Sequence, residues 1–177
     1  MCPPYALMEF LMTDHILLLD LHNFIWRANI SFKFVDPTVN QDYITIFNFF
    51  RNLRALIEEF CPNKVFAVCE GHPQFRYNLF SDYKANRIIK QAAKQETLDK
   101  FFKSRDEIVR LLSYLPITLC RAADYEADDV IATLVENMKD EMLTVISNDS
   151  DYIQLLQKGY KYLDIYNPMK KEMMRAP

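Results

Sequence analysis

Four short apolar runs punctuate the chain, at His15 to Asp20, Lys64 to Glu70, Pro116 to Cys120 and Met142 to Ser147, and a fifth, weaker one runs from Tyr160 to Tyr166. Each is strand-length and nearly continuous rather than alternating, the pattern of a strand covered on both faces. Between the runs the period changes. From Tyr43 to Cys61, the residues Ile46, Phe49, Phe50, Leu53, Leu56, Ile57 and Phe60 recur at spacings of three and four, which on a helix gathers into one broad apolar face. Asp82 to Tyr114 and Tyr125 to Lys139 supply further helices, and Asp151 to Gln157 a short one. Strands alternating with helices predict an α/β fold, with a central, mostly parallel twisted sheet and helices on both faces. The end, from Asn167 to Pro177, is polar, methionine-rich and closed by proline, and reads as a tail.

Composition narrows the chemistry. A length of 177 residues fits one domain with one main core. Only two glycines occur, Gly71 and Gly159, so neither a P-loop nor a G-x-G-x-x-G turn can be written anywhere. The net charge of -3 supplies no overall attraction to a polyanion, and any nucleic-acid reading must rest on local charge. Cys2, Cys61, Cys69 and Cys120 have no C-x-x-C spacing and read as reduced thiols, without structural zinc or a disulfide framework. Glu9, Asp14 and Asp20 interrupt the opening apolar segment. That segment therefore reads as neither a secretory leader nor a membrane span, and a cytoplasmic protein is expected.

The acids fall at informative places. Asp20 ends the first apolar run and Glu70 the second. After the third comes Asp124-Tyr125-Glu126-Ala127-Asp128-Asp129, and after the fourth Ser147-Asn148-Asp149-Ser150-Asp151. In a parallel sheet these points share one edge, the carboxyl end where open α/β sheets place ligands. Asp20, Glu70, Glu126, Asp128, Asp129, Asp149 and Asp151 should therefore converge. Carboxylates so close raise one another's pKa unless cations neutralise them. An all-oxygen set suits magnesium or manganese rather than zinc, and this many acids suits two ions better than one. The competing reading is that the last two clusters are ordinary helix N-termini, where Asp and Asn cap and complement the dipole. Capping does not account for the acids ending the first two runs.

A basic stripe follows the second run. Lys84, Arg87, Lys90 and Lys94 recur at three, three and four, preceded by Arg76 and accompanied by Phe75, Tyr77 and Tyr83. On a helix they form one cationic face suited to a phosphate backbone, with aromatic rings able to stack on bases. A solvated surface face has the same pattern.

These stretches together resemble the 5′-nucleases, the family of flap endonucleases, the 5′-nuclease domain of bacterial DNA polymerase I and the ribonuclease H of T-even phages. The resemblance is carried by Leu18-Leu19-Asp20, by Phe75-Arg76 with Asp82 to Arg87, by Asp124 to Ala132, and by Ser147 to Leu156. Tyr166-Asn167-Pro168-Met169 looks most like the phage branch. What the resemblance implies is a PIN-like, resolvase-like catalytic domain over 15–166 with a basic helical arch near 75–105, preceded by an extension over 1–14 and followed by a tail over 167–177. It further implies a two-magnesium exonuclease and flap endonuclease, with manganese as substitute, acting on DNA or RNA–DNA hybrid with a free 5′ end or flap. Asp20, Glu70, Glu126 and Asp128 would hold the first metal, with Asp129 close by; Asp149 and Asp151 would hold or orient the second. Lys84 and Arg87 resemble the catalytic basic residues at the base of the arch, and Arg76, Tyr83, Lys90 and Lys94 would contact nucleic acid. After the first Asp the family often has glycine, where Leu21 stands here. In the family a helix-hairpin-helix-like module that grips duplex DNA follows the catalytic half, and no such pattern is legible before Pro177. A second reading is accordingly a nuclease-fold nucleic-acid-binding subunit that needs a separate polypeptide to supply that module.

Overall fold

The computed structural model describes residues 14–30, 41–80 and 95–174. In chain order the elements are β1 (His15–Asp20), α1 (Leu21–Ile30), α2 (Gln41–Phe60), β2 (Lys64–Cys69), α3 (Gln74–Leu79), α4 (Gln95–Leu112), β3 (Thr118–Arg121), α5 (Ala127–Asn137), β4 (Met142–Ile146), a 3-10 turn (Ser150–Tyr152), α6 (Ile153–Gln157), β5 (Leu163–Asn167) and β6 (Glu172–Met173). The strands form one six-stranded sheet in the order β3-β2-β1-β4-β5-β6. All neighbours pair in parallel except β5 with β6. The chain winds outward from β1 through β2 to β3, then returns to the other side of β1 with β4. The boundary between β1 and β4 is thus the topological switch point, where an open sheet leaves a crevice beyond its carboxyl ends.

Successive β1 residues serve opposite faces, as pleating requires. Leu17 and Leu19 pack with Phe24, Phe49, Leu53, Phe101 and Ile108 from α1, α2 and α4. Ile16 and Leu18 pack with Ile131, Val135, Tyr152 and Leu155 on the α5 and α6 side. Every β1 residue is buried, which explains the unbroken apolar run, and each fully buried leucine contributes about 1.5–3 kcal/mol.

The predicted sheet and helices over both faces are present, with several differences. Helix α1 was not expected: Leu21, Phe24, Ile25 and Ala28 make its buried stripe, but it begins directly after β1 with no turn residue to announce it. The stretch expected as a tail is folded through Met174. Buried Asn167 accepts the amides of Met169 and Lys170 at 2.9 and 3.2 Å, turning the chain so that β6 returns along β5. Of the segment Asp82 to Tyr114, the part from Gln95 to Leu112 is helical, and 81–94, the centre of the expected arch, lies outside the described residues, as do 1–13 of the expected extension. Cys69 and Cys120 are free thiols. Cys61 takes a left-handed φ of 44° where α2 ends.

Candidate active site

Asp20 is the last residue of β1 and lies at the switch point. It follows Leu19, so it is directed to the α5 and α6 side of the sheet. Only 8% of it is exposed, yet both oxygens are served: Oδ1 accepts the Asn23 amide at 3.1 Å, and Oδ2 accepts the Ser147 and Tyr152 hydroxyls, each at 3.2 Å. Burial nevertheless pushes its pKa up to about 6, with the charge of Asp149 adding to the rise. Tyr152 is 3% exposed. Burial raises its phenol pKa first, then the charges of Asp20, Asp128 and Asp149. One buried hydroxyl therefore donates to the carboxylate at the end of β1 and feels the charges of acids at the start of α5 and on the turn after β4.

The second cluster is built by the N-terminus of α5. Glu126 is the N-cap, with extended backbone and 5% exposure. Asp129 Oδ2 reaches back to the Glu126 amide at 3.3 Å, and Asp128 Oδ1 accepts the Asp129 amide at 2.9 Å. One carboxylate oxygen from each of Glu126, Asp128 and Asp129 lies within 4.8 Å of the others. Burial, then the charge of Asp129, raises the pKa of Asp128. Arg76 of α3 answers this charge: Nη1 donates to Glu126 at 2.5 Å and Nη2 to Asp129 Oδ1. Oxygen-only donors at this spacing fit a hard divalent cation, and a guanidinium already resting on two of the three shows that the position attracts positive charge.

The remaining candidates are spread around this centre. Glu70, just past β2, is exposed and lines a cleft with His22, Arg105, Asp106 and Arg121; it is outside the 4.8 Å group. Asp149 accepts the Asp151 amide at 3.0 Å and caps the 3-10 turn, and both acids are exposed. Ser147 ties that turn to Asp20, since its Oγ accepts the Asp149 amide at 3.2 Å while donating to the β1 carboxylate. Tyr83, Lys84, Arg87, Lys90 and Lys94 lie outside the described residues.

Three contributors were not singled out from sequence. Tyr152 and Ser147 stood inside the acidic motif, but nothing in their spacing says that they serve Asp20. Gly71 stood only as one of two glycines. Its amide donates to the Tyr125 carbonyl at 3.0 Å, and that of His72 to Ala123 at 2.7 Å, stitching the Glu70 loop to the segment leading into Glu126. A Cβ at Gly71 would stand 2.0 Å from the Ala122 carbonyl oxygen, so glycine is required by close backbone approach.

A doubly wound sheet with a buried acid at its switch point and a helix N-terminus rich in carboxylates is an α/β frame with an acidic carboxyl edge. Residues 15–176 match the family described as 5′-3′ exonuclease, N-terminal resolvase-like domain, and the chain belongs to that family. It is 30% identical over 161 residues to a 5′-3′ exonuclease of Mycoplasmopsis pulmonis, covering 89% of this chain and 50% of the relative. It is 30% identical over 158 residues to flap endonuclease Xni of Tolumonas auensis, covering 86% of this chain and 58% of the relative. The chain thus spans about half the length of these relatives. Its fold superposes on a T5 5′-exonuclease with bound divalent zinc at a TM-score of 0.75 and 18% identity, over 91% of this chain and 58% of that one. Among the described residues no helix is long and apolar enough to cross a membrane.

Proposed function

We propose that the chain is the catalytic half of a magnesium-dependent 5′-3′ exonuclease and flap endonuclease, hydrolysing phosphodiesters of DNA flaps or RNA primers with two divalent ions. The observation that carries this reading is the buried Asp20 at the switch point, bonded by a Tyr152 hydroxyl that also feels the charges of Asp128 and Asp149, in a chain of this family. Asp20, Glu126 and Asp128 would hold the first ion, with Asp129 and Glu70 at its margin; Asp149 and Asp151, exposed on the adjoining turn, would hold or orient the second. Bound there, the ions would lower the pKa of a water and stabilise the leaving oxygen of an in-line displacement.

The protein supplies the rest. Ser147, Tyr152 and the Asn23 amide fix the Asp20 carboxylate, and the α5 dipole favours anions at its N-terminus. Lys84 and Arg87 are assigned to the scissile phosphate, where fixed cations stabilise developing charge. Arg76, Tyr83, Lys90 and Lys94 are assigned to the flanking strand. Grip on duplex DNA is assigned to a further module, in this polypeptide or a separate one, and the activity to the cytoplasm. The test is cleavage of 5′-flapped DNA and RNA–DNA hybrid with magnesium or manganese. Asp128→Asn and Asp149→Asn should each lower the rate by about a hundredfold or more, the scale on which loss of a charge-stabilising group at a reacting centre is felt. Undiminished cleavage by both variants would sink the assignment.

A further inference from the structure

Arg76 sits where a cation belongs. Its guanidinium bridges Glu126 and Asp129, two of the three acids whose oxygens lie within 4.8 Å of one another. The Glu126 side chain is 6% exposed and that of Arg76 25%, so the contact is shielded from water and salt in a way that surface pairs are not. The occupancy of Asp129 matters most. Its Oδ2 is taken by the Glu126 amide and its Oδ1 by Arg76. While the guanidinium stays, a lone-pair site on each Asp129 oxygen is taken and Glu126 shares its charge with Arg76, so the cluster offers an ion fewer sites and less negative charge. A divalent ion among the same oxygens would stand within a few ångströms of the arginine, and like charges at that range repel strongly.

We propose that Arg76 is a built-in counter-ion of the acid cluster, that a divalent cation must displace it to load the site, and that the displaced guanidinium then serves a substrate phosphate. This rests on the nuclease reading. The arginine suits both roles: α3 is a short helix that follows the Glu70 loop, and a planar fork that fits carboxylates fits phosphates equally. Without metal, the arginine lessens the repulsion among Glu126, Asp128 and Asp129. With metal, the ion takes over that task and the arginine's charge becomes available to an anion. Loading and substrate engagement are thereby ordered, because Nη1 and Nη2, which hold the acids before loading, are the donors that would serve the phosphate after it.

A residue that merely braces the acids and one that competes with the metal predict opposite signs. The experiment is a calorimetric titration of manganese alone, without nucleic acid, into the wild-type chain, Arg76→Gln, Arg76→Lys and Asp128→Asn. Competition predicts that Arg76→Gln binds manganese about tenfold more tightly than wild type, within the span usual for coupled binding, and that Arg76→Lys falls between them because a point charge lacks the fork. Equal or weaker binding in the arginine variants overturns the proposal. Should the glutamine variant fail to fold, the lysine variant alone decides, since it too must bind more tightly than wild type. At saturating metal, the KM for a flapped substrate should rise several-fold in Arg76→Gln, and an unchanged KM overturns the second half. The two readings fail separately: binding by wild type and none by Asp128→Asn upholds the metal site whatever the arginine variants do, while absence of binding in all four chains overturns both.

Discussion

At the scale of single residues the site is a set of charges held where water cannot fully serve them. Asp20 has three donors and still prefers its proton more than an exposed carboxyl does, because burial outweighs the hydrogen bonds. Neutralising it should therefore relieve the metal-free fold. Asp20→Asn keeps an oxygen for the Asn23 amide, and the Ser147 and Tyr152 hydroxyls can turn to suit the new amide. In urea unfolding at pH 7 with chelator, this variant should match or exceed wild type by roughly 1–3 kcal/mol, following the displaced pKa. Added magnesium should raise the stability of wild type and leave the variant unmoved. A metal-free variant less stable than wild type would mean that the carboxylate is needed for folding rather than tolerated by it. Asp20 was legible in the sequence as an acid ending an apolar run. Tyr152 was not, since an aromatic among acids at a helix start has no spacing that distinguishes a core ring from a hydrogen-bond donor to a residue far off in the chain.

At the scale of elements, acids assigned to chemistry are also the caps of their helices. Asp129 reaches back to the α5 N-cap and Asp149 caps the turn after β4, as the ordinary helix-terminus reading has it, and the same acids are among those assigned to the metals. That is why composition alone could not separate the two readings: a helix N-terminus favours anions whether or not a metal arrives. The order of apolar runs was enough to place most strands and helices, because burial on both faces dictates continuous runs and a 3.6-residue period. It missed α1 and β6, whose boundaries depend on a turn without glycine and on one buried asparagine. It also missed the stitch at Gly71, which is a matter of backbone approach rather than of side-chain pattern. Gly71→Ala should make that approach visible. The added carbon meets three carbonyl oxygens at 2.0, 2.5 and 2.7 Å, so the Glu70 loop must lift from the 122–125 segment and lose two backbone hydrogen bonds, at a cost of about 2–4 kcal/mol. Thermal unfolding should record the loss, and the magnesium concentration for half-maximal cleavage should rise, because Glu70 and Glu126 no longer share one platform. A variant with wild-type stability and metal requirement would show the stitch to be dispensable.

Across the whole molecule the two ends of the sheet are built for different ends. At the carboxyl edge lie the buried acids assigned to the metals. At the amino edge, about 17 Å away along β1 at the usual rise per residue, His15 serves cohesion. Its Nδ1 meets the Phe60 carbonyl at 2.9 Å and its Nε2 the Thr144 hydroxyl at 3.0 Å, so one buried ring joins β1, the end of α2 and β4. Burial lowers its pKa, more than the Phe60 carbonyl and Asp164 raise it. The folded chain therefore holds the ring neutral at a pH where the unfolded chain protonates it. The unfolded state binds more protons in that window, and stability must fall as the pH drops below about 6.5, the ordinary value for histidine, toward the lowered one. His15→Gln removes the titration without replacing both contacts. Urea unfolding of the two chains across pH 5 to 8 should show wild type more stable at neutral pH and its advantage shrinking toward acid. A constant gap would mean that His15 titrates alike in both states. Because the acid site lies at the far edge, the variant's nuclease rate per folded molecule at pH 8 should equal that of wild type, so that loss at the amino edge appears as instability and loss at the carboxyl edge as lost catalysis.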